Sequence, residues 1–162
     1  MNEDELIKKQ EKYILAIVRE AKRGKIKVDT TKIMKIMFLL QREYGLDLGL
    51  KFTPFVRGPT SMVVVKLIEK LVENGIIRES ARPIRDPFTG WIIAYYRTYR
   101  LKKKVRIRIN RKEREFIKNL AKQESNELVK YVMRKYPEDS IPERVRDISI
   151  KLMNMLDKIP TT

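Results

Sequence analysis

The hydrophobic pattern of this chain changes period near Gly75, and that change most constrains the fold. Up to that residue, apolar side chains recur every three or four positions in three segments, each followed by a glycine. From Ile76 the apolar residues alternate with polar ones, as in half-buried strands. Helical spacing returns after Asn110. The sequence therefore predicts an α+β, mainly α fold: three helices, a ribbon of strands, then two or three further helices.

The three N-terminal helices have recognisable boundaries. The first is predicted over about Glu3–Arg23, before Gly24. The second should start after an N-cap at Asp29 or Thr30 and end at Gly45. The third is predicted over Pro59–Asn74, with the proline at its first helical position. Its core face should contain Val64, Leu67, Ile68, Leu71 and Val72. Its solvent face should contain Met62, Lys66, Glu69, Lys70 and Glu73.

The ribbon is predicted from two strands, Ile76–Arg82 and Trp91–Leu101, joined by the loop PIRDPFTG. A third strand is predicted over Lys104–Ile109, where apolar and basic residues alternate. In the second strand, alternation places one set of side chains over the helices: Trp91, Ile93, Tyr95 and Tyr99. Arg97 belongs to that face too and must reach its rim. Tyr96 and Thr98 share the other face with Arg100.

The C-terminal part is predicted to be helical. Asn110 and Glu113 match a capping box, the stripe that follows is broken near Ser125, and Pro137 ends it. Ser140 and Glu143 match a second capping box before the last helix. The predicted domains are a core over residues 1–110 and a helical extension over 111–162. Near-heptad spacing in the last helix equally allows a two-fold dimer contact or closure of the core. The residues concerned are Val145, Ile148, Leu152, Met155 and Ile159.

The positive charge is concentrated in one segment. The chain has 37 Lys/Arg, 21 Asp/Glu and a net charge of +16. Residues 76–114 have 13 Lys/Arg against 3 Asp/Glu, a net charge of +10, whereas residues 115–162 have 9 against 8. Within it, Trp91–Asn110 contains no acidic residue. Scattered solubilising lysines would not produce this distribution, which favours a polyanionic partner.

Composition argues against several classes of protein. The 162 residues include no cysteine and no histidine, so disulfides, thiolate metal sites and a histidine base are excluded. We find no phosphate-binding loop, dinucleotide motif or nucleophile elbow. Asp86 fits a turn, and Glu138 and Asp139 fit a helix start. We expect no enzyme activity, no metal, no cofactor, no secretory signal and no membrane span. The composition also suits a thermophile.

Three helices followed by a basic two-stranded ribbon is the order of a winged helix-turn-helix, whose third helix can enter a DNA major groove. Residues 32–77 also carry four short motifs: Tyr44-Gly45, Phe52-Thr53-Pro54, Gly58-Pro59-Thr60 with Ser61, and Ile68, Leu71, Gly75 and Ile77. This block resembles small archaeal winged-helix proteins and, more loosely, YwgA-like and Panacea-type domains. Those have leucine where this chain has Ile68. The resemblance implies a winged-helix fold used for DNA regulation or for antitoxin-like protein binding.

Most basic residues of the ribbon are predicted phosphate contacts, and Arg82 and Arg85 near its tip are placed for the minor groove. The start of the third helix is a secondary candidate, which would supply any base reading. The full set is Arg57, Thr60, Ser61, Lys66, Arg82, Arg85, Arg97, Arg100, Lys102, Lys103, Lys104, Arg106 and Arg108. The leading hypothesis is a homodimeric transcriptional regulator that binds double-stranded DNA in the cytoplasm, associated with the nucleoid.

Three alternatives remain open at this stage. The basic face could dock on an acidic protein partner, as an antitoxin or a viral factor would. RNA or single-stranded DNA would be favoured if Trp91 and Tyr96 proved exposed. Membrane binding is not expected, because the charge lies on strands and not on an amphipathic helix.

Overall fold

The computed structural model describes residues 1–160, apart from the side chains of residues 143–147, 149 and 150. The protein is α+β, about 54% helical, with a small antiparallel sheet. Seven α-helices are present in the described residues: α1 Glu3–Arg23, α2 Thr30–Leu39, α3 Met62–Glu73, α4 Arg111–Ala121, α5 Ser125–Lys135, α6 Pro137–Ser140 and α7 Glu143–Asp157. The five strands are β1 Val28–Asp29, β2 Thr53–Phe55, β3 Gly58–Thr60, β4 Ile77–Arg85 and β5 Ile92–Leu101. Among the helices of residues 1–160, none is both long and apolar enough to cross a membrane.

The second helix, α2, lies at the centre of the core. Asp29 caps it by accepting a hydrogen bond from the Lys32 N–H at 2.8 Å, as predicted. Every residue from Lys32 to Leu40 is buried. Two of these are lysines, and each donates to a carbonyl of another segment: Lys32 to Ala121 at 2.9 Å and Lys35 to Pro59 at 2.8 Å. The central helix thus contacts segments far away in the sequence.

The sheet has the order β1–β5–β4, all antiparallel. The predicted ribbon of β4 and β5 is confirmed, but the predicted third strand at Lys104–Ile109 is wrong. Its place beside β5 is taken by β1, with Val28 opposite Tyr99. Residues 104–109 do alternate between inside and outside, with Ile107 buried. Their backbone pairs with no strand. The Ile107 carbonyl accepts from the Arg19 guanidinium at 3.2 Å.

The third helix begins later than predicted. Gly58 has a φ of +96° and closes a two-residue turn between β2 and β3, so Pro59 is a strand residue opposite Pro54. Neither proline has an N–H to lose in this pairing. Ser61 is the N-cap of α3, and its hydroxyl accepts from the Val64 N–H. The predicted core and solvent faces of α3 are confirmed.

The C-terminal helices differ in how they are capped. Asn110 caps α4 as predicted, but Glu113 accepts from the Asn110 side-chain amide instead of its backbone N–H. The second carboxylate oxygen of Glu113 accepts from the Tyr13 hydroxyl at 2.7 Å. The predicted Ser140 cap is wrong: this hydroxyl is buried and donates to the Tyr136 carbonyl at 2.6 Å, and Pro142 precedes α7.

One hydrophobic core includes residues on both sides of the predicted domain boundary at residue 110. Ile117 and Leu120 of α4 and Leu128 and Val132 of α5 are buried with α1 and α2. By contrast, α7 has an exposed apolar face that includes Ile148, Leu152, Met155 and Leu156, and Ile159 is exposed just beyond its end. The side chain of Val145, also predicted to dimerise, lies outside the described residues.

Candidate nucleic-acid interface

The β4–β5 ribbon extends beyond the core for most of its length. Ile77 is buried at the base of β4, and every residue of this strand after it is exposed. On β5, Tyr99 is only 6% exposed, which confirms the predicted packing of this tyrosine. The same prediction is wrong for Trp91, Ile93 and Tyr95, which are at least half exposed. They lie near the free end of the ribbon, beyond the reach of the helices.

Register separates the ribbon side chains into two sets. Directly opposed residues on two antiparallel strands point to the same side of the sheet. One side therefore includes the pairs Arg78–Arg100, Ser80–Thr98 and Arg82–Tyr96. The other side includes the pairs Glu79–Tyr99 and Ala81–Arg97.

The first side, with the loop that follows α1, forms a basic cleft of about 510 Å³. A smaller depression shares Lys22 and Arg100 with it and extends it along the ribbon. No carboxylate is among the described residues that line the two depressions. We call the combined surface the basic cleft; its cations are Lys22, Lys25, Lys27, Arg78, Arg100 and Lys102. Ser80 and Thr98 add hydroxyls to its wall.

Four of these six cations were not predicted as site residues. Arg78 lies on a predicted strand, but the side of the ribbon to which it points follows only from its pairing with Arg100. Lys22, Lys25 and Lys27 are about 75 residues from β5 in sequence, and the β1–β5 pairing brings them beside it. The strand β1, which makes this pairing, follows the lysines directly. With only two residues it has no hydrophobic period from which a strand could be predicted.

The second side faces α3 across an acidic groove. We use this name for the depression lined by Glu69, Glu73 and Glu79 together with Arg97. Arg97 is held by Glu79 at 3.4 Å. The buried Tyr99 hydroxyl is hydrogen-bonded to both Thr30 and Glu79. Burial is the main reason why the pKa of Tyr99 is raised.

Tyr96 is held against the edge of the core and is half-buried. Its hydroxyl donates to the Asp29 carboxylate at 3.3 Å. Burial and the nearby Asp29 carboxylate raise the pKa of Tyr96. Asp29 also accepts from the Ser125 hydroxyl at 2.9 Å. This carboxylate is thus satisfied by its neighbours and does not line the basic cleft.

The predicted contacts at the start of α3 are mostly engaged within the protein. Ser61 is fully buried, so its hydroxyl does not reach an outside ligand. The Thr60 hydroxyl donates to the Gly58 carbonyl, and Arg57 donates to the Asn126 side chain. Lys66 is exposed, but it shares the solvent face of α3 with Glu69 and Glu73. The start of α3 therefore offers little for reading bases.

The remaining predicted residues are exposed and lie at the two ends of β5. Beyond Lys102, which lines the basic cleft, they are Lys103, Lys104, Arg106 and Arg108. At the other end, Arg82 lies 5.4 Å from the ring centroid of Tyr96, and Arg85 donates to the Gly90 carbonyl at 2.9 Å. The cationic surface thus continues from the cleft towards the tip.

Asp86 shapes the turn at the end of the ribbon. Its carboxylate accepts from the backbone N–H groups of Phe88 and Thr89, both at 2.8 Å, and these bonds lower the pKa of Asp86. The Asp86 N–H donates to the Trp91 carbonyl at 2.8 Å. The predicted role of Asp86 as a turn former is confirmed. Glu138 and Asp139 both pair with Arg42.

Comparison with known proteins adds no relative: no family model, no curated protein and no solved structure matches the chain. The resemblance of residues 32–77 to archaeal winged-helix proteins therefore stays a prediction.

Proposed function

We propose that this protein binds double-stranded DNA through the basic side of its ribbon, as a winged helix-turn-helix protein that regulates transcription. Support for the fold comes from the order α1–β1–α2–α3–β4–β5 and from a sheet in the order β1–β5–β4. The three helices and the ribbon have the succession expected of such a domain. The β2–β3 hairpin is an insertion between α2 and α3.

The basic cleft is the observation that carries the proposal. Six exposed cations from three segments line one continuous surface, without a carboxylate among its described lining residues. Lysine and arginine side chains neutralise phosphates and release condensed counterions, which drives binding to any DNA sequence. The two hydroxyls in the wall can donate to phosphate oxygens and fix the register of the backbone.

The acidic groove determines which side of the ribbon would face the duplex. A recognition helix that enters the major groove brings the adjoining surfaces close to phosphates. Here those surfaces contain Glu69, Glu73 and Glu79, which would repel a phosphate backbone. We therefore place the duplex along the basic cleft, with α3 away from the DNA. Binding led by the ribbon predicts weak sequence preference, because phosphate contacts do not read bases.

An acidic protein partner is the second candidate, and the basic cleft supports it equally, because carboxylates also pair with lysine and arginine. Both candidates predict a complex that weakens with salt. Titration with a duplex tests the first candidate directly, because only that candidate requires DNA to bind. Cytoplasmic, nucleoid-associated localisation belongs to the DNA proposal.

A homodimer formed through α7 is part of the proposal. Ile148, Leu152, Met155 and Ile159 are each more than half exposed, as a two-fold contact between identical helices requires. Sedimentation equilibrium of the wild type and Leu152→Asp tests this contact. A monomeric wild type would refute it.

The function is tested by fluorescence anisotropy with a random-sequence duplex over a salt series. Lys25→Ala combined with Lys27→Ala should reduce the slope of log affinity against log salt by about 2, because each phosphate contact contributes roughly 0.9. Lys8→Ala combined with Lys51→Ala is the matched control. Lys8 lies about 21 Å along α1 from Lys22, and the hydrogen bond from Lys9 to Asp47 holds the loop before Lys51 at that same end. Absence of binding at low salt would refute the proposed function.

A further inference from the structure

The free end of the ribbon exposes a group of large apolar side chains. We define the wing tip as residues 84–95. Phe88 is 95% exposed and Trp91 is 75% exposed, and Ile93 and Tyr95 are at least half exposed. A cluster of this kind on one projecting element is a mark of an interaction site, since burying these rings in a complex is strongly favourable.

The turn that presents the two most exposed rings, Phe88 and Trp91, is held by an internal network of hydrogen bonds. The backbone of the turn is closed by the Asp86–Trp91 and Gly90–Asp86 bonds, at 2.8 and 2.9 Å. Arg85 and the Asp86 carboxylate add contacts to the same backbone. A preorganised turn loses little conformational entropy when its side chains bind a ligand.

The positive charge next to the exposed rings indicates which kind of ligand the wing tip can bind. The guanidinium of Arg82 lies 5.4 Å from the centroid of the Tyr96 ring, and Arg85 adds a second cation beside the turn. The one carboxylate of the wing tip, Asp86, accepts from backbone amides. A ligand that suits this surface has flat apolar faces and an anionic backbone. Unpaired nucleotides have both properties, whereas in a regular duplex the faces of the bases are covered by stacking.

We infer that the wing tip binds unpaired bases of a nucleic acid, with Trp91 and Phe88 stacking on them, next to a duplex held in the basic cleft. The inference rests on the proposed function, because the cleft and the tip belong to one ribbon. Its preferred ligand is a junction between double-stranded and single-stranded DNA. Arg82 and Arg85 contact the phosphates of the unpaired strand.

Trp91 is the one tryptophan of the chain, so intrinsic fluorescence reports directly on the wing tip. We would titrate the wild type with three probes: a blunt duplex, the same duplex with a single-stranded fork, and the single strand alone. Stacking on a base quenches indole emission. We expect the fork and the single strand to quench Trp91 and the blunt duplex to leave its emission unchanged.

The contribution of each ring to affinity is measured with variants of the protein and dye-labelled DNA probes. Trp91→Ala and Phe88→Ala should each weaken fork binding by about 5- to 150-fold, the range found when a stacking side chain is truncated. Blunt-duplex affinity should be unaffected. Trp91→Phe keeps a ring and should keep most of the fork affinity. Phe55→Ala removes an exposed ring from the end of β2 and is the matched control, with no expected effect.

Several results would overturn the inference. Equal quenching by blunt and forked duplex would show that unpaired bases are not selected. A blue shift with phosphatidylserine vesicles, without quenching by the oligonucleotides, would assign the tip to a membrane surface. A blue shift that grows with protein concentration alone would assign it to a second copy of the chain. If the blunt duplex binds through the basic cleft but no probe changes the emission of Trp91, the inference fails and the proposed function stands. If none of the three probes binds, the inference and the proposed function both fail.

Discussion

The two sides of the β4–β5 ribbon have charge of opposite sign. One side forms the basic cleft, where Arg78 and Arg100 are cross-strand neighbours. The other forms the acidic groove, where Arg97 is neutralised by Glu79. Because side chains alternate along a strand, residues adjacent in sequence belong to opposite surfaces. A count of charge over a segment therefore adds together two surfaces that have different partners.

Because of this contrast, individual arginines of the ribbon are expected to contribute differently to DNA binding. Arg97 and Arg100 lie three positions apart on β5, and both were predicted phosphate contacts. The structure puts Arg97 beside three glutamates and Arg100 among lysines. We therefore expect DNA binding to depend on the cleft, while the groove side opposes it. Four substitution experiments can break or sharpen this contrast.

The largest effect is expected from reversing charge in the basic cleft. Lys22→Glu combined with Arg100→Glu should weaken duplex binding at low salt by on the order of 100-fold, since two phosphate contacts become two repulsions. Lys8→Glu combined with Lys51→Glu changes the net charge equally. Anisotropy titrations of both variants decide the matter. Equal losses would mean that binding follows net charge and that the cleft has no special role.

A smaller effect is expected from the lysine run after β5. Changing Lys102, Lys103 and Lys104 together to alanine should weaken duplex binding by about tenfold and make the salt dependence shallower. Only Lys102 lines the basic cleft, so Lys102→Ala should account for most of the loss in the same titration. If each single variant loses as much as Lys102→Ala, the phosphate-binding surface extends past the cleft.

On the opposite side of the ribbon, removing negative charge from the acidic groove should strengthen duplex binding. Glu69→Gln combined with Glu73→Gln should tighten duplex binding by about two- to threefold, because the glutamates repel phosphates across the ribbon with partial screening. Salt should diminish this gain. A gain well above tenfold would show that the duplex lies in the acidic groove, and the contrast between the two sides would be broken.

The smallest effect on binding is expected from a lysine that is not on the surface. Lys35→Met removes a buried cation, so the salt slope of DNA binding should not change. Burial lowers the pKa of Lys35 to about 8 from an ordinary value of 10.5. Between these values the unfolded chain holds a proton that the folded chain has released, so stability rises with pH. Below pH 8 both states are protonated and this contribution is constant.

Urea denaturation from pH 7 to pH 10 measures this linkage. The wild type should gain at most about 1.4 kcal/mol per pH unit from this group, the limit for one proton. Lys35→Met should lack that gain. An identical pH profile in the two proteins would show that Lys35 is not the group responsible.

Local patterns predicted the helices and the ribbon well, because caps and hydrophobic period act over a few residues. Asp29, Asn110 and Gly24 mark the helix ends at which the structure has them. Two of the errors occurred where a group distant in the sequence decided the outcome. Pro59 looked like a helix start, but its carbonyl accepts from Lys35 and its strand pairs with Pro54. Residues 104–109 alternate as a strand does, yet they pair with no strand, and the Ile107 carbonyl accepts from Arg19 of α1.

The candidate site was half predictable for the same reason. The basic residues of β5 and of the run after it were found from their local excess of charge. The lysines after α1 were missed, because only the pairing of Val28 with Tyr99 brings them to the ribbon. The exposed Trp91 was misassigned, because alternation gives the side of a strand but not how far the strand extends past the core.

The pairing of β1 with β5 also sets the order in which the cleft can form. Its partners are 71 positions apart in Val28–Tyr99, and contacts with such separation form slowly, because a long loop must first be closed. During synthesis the lysines after α1 leave the ribosome long before β5 does. Until β5 is released, the emerging chain has four of the cations of the cleft, Arg78 of β4 included, but no surface that brings them together. The capacity to hold a polyanion would therefore be acquired late, in a single step, when β5 docks between its two neighbours.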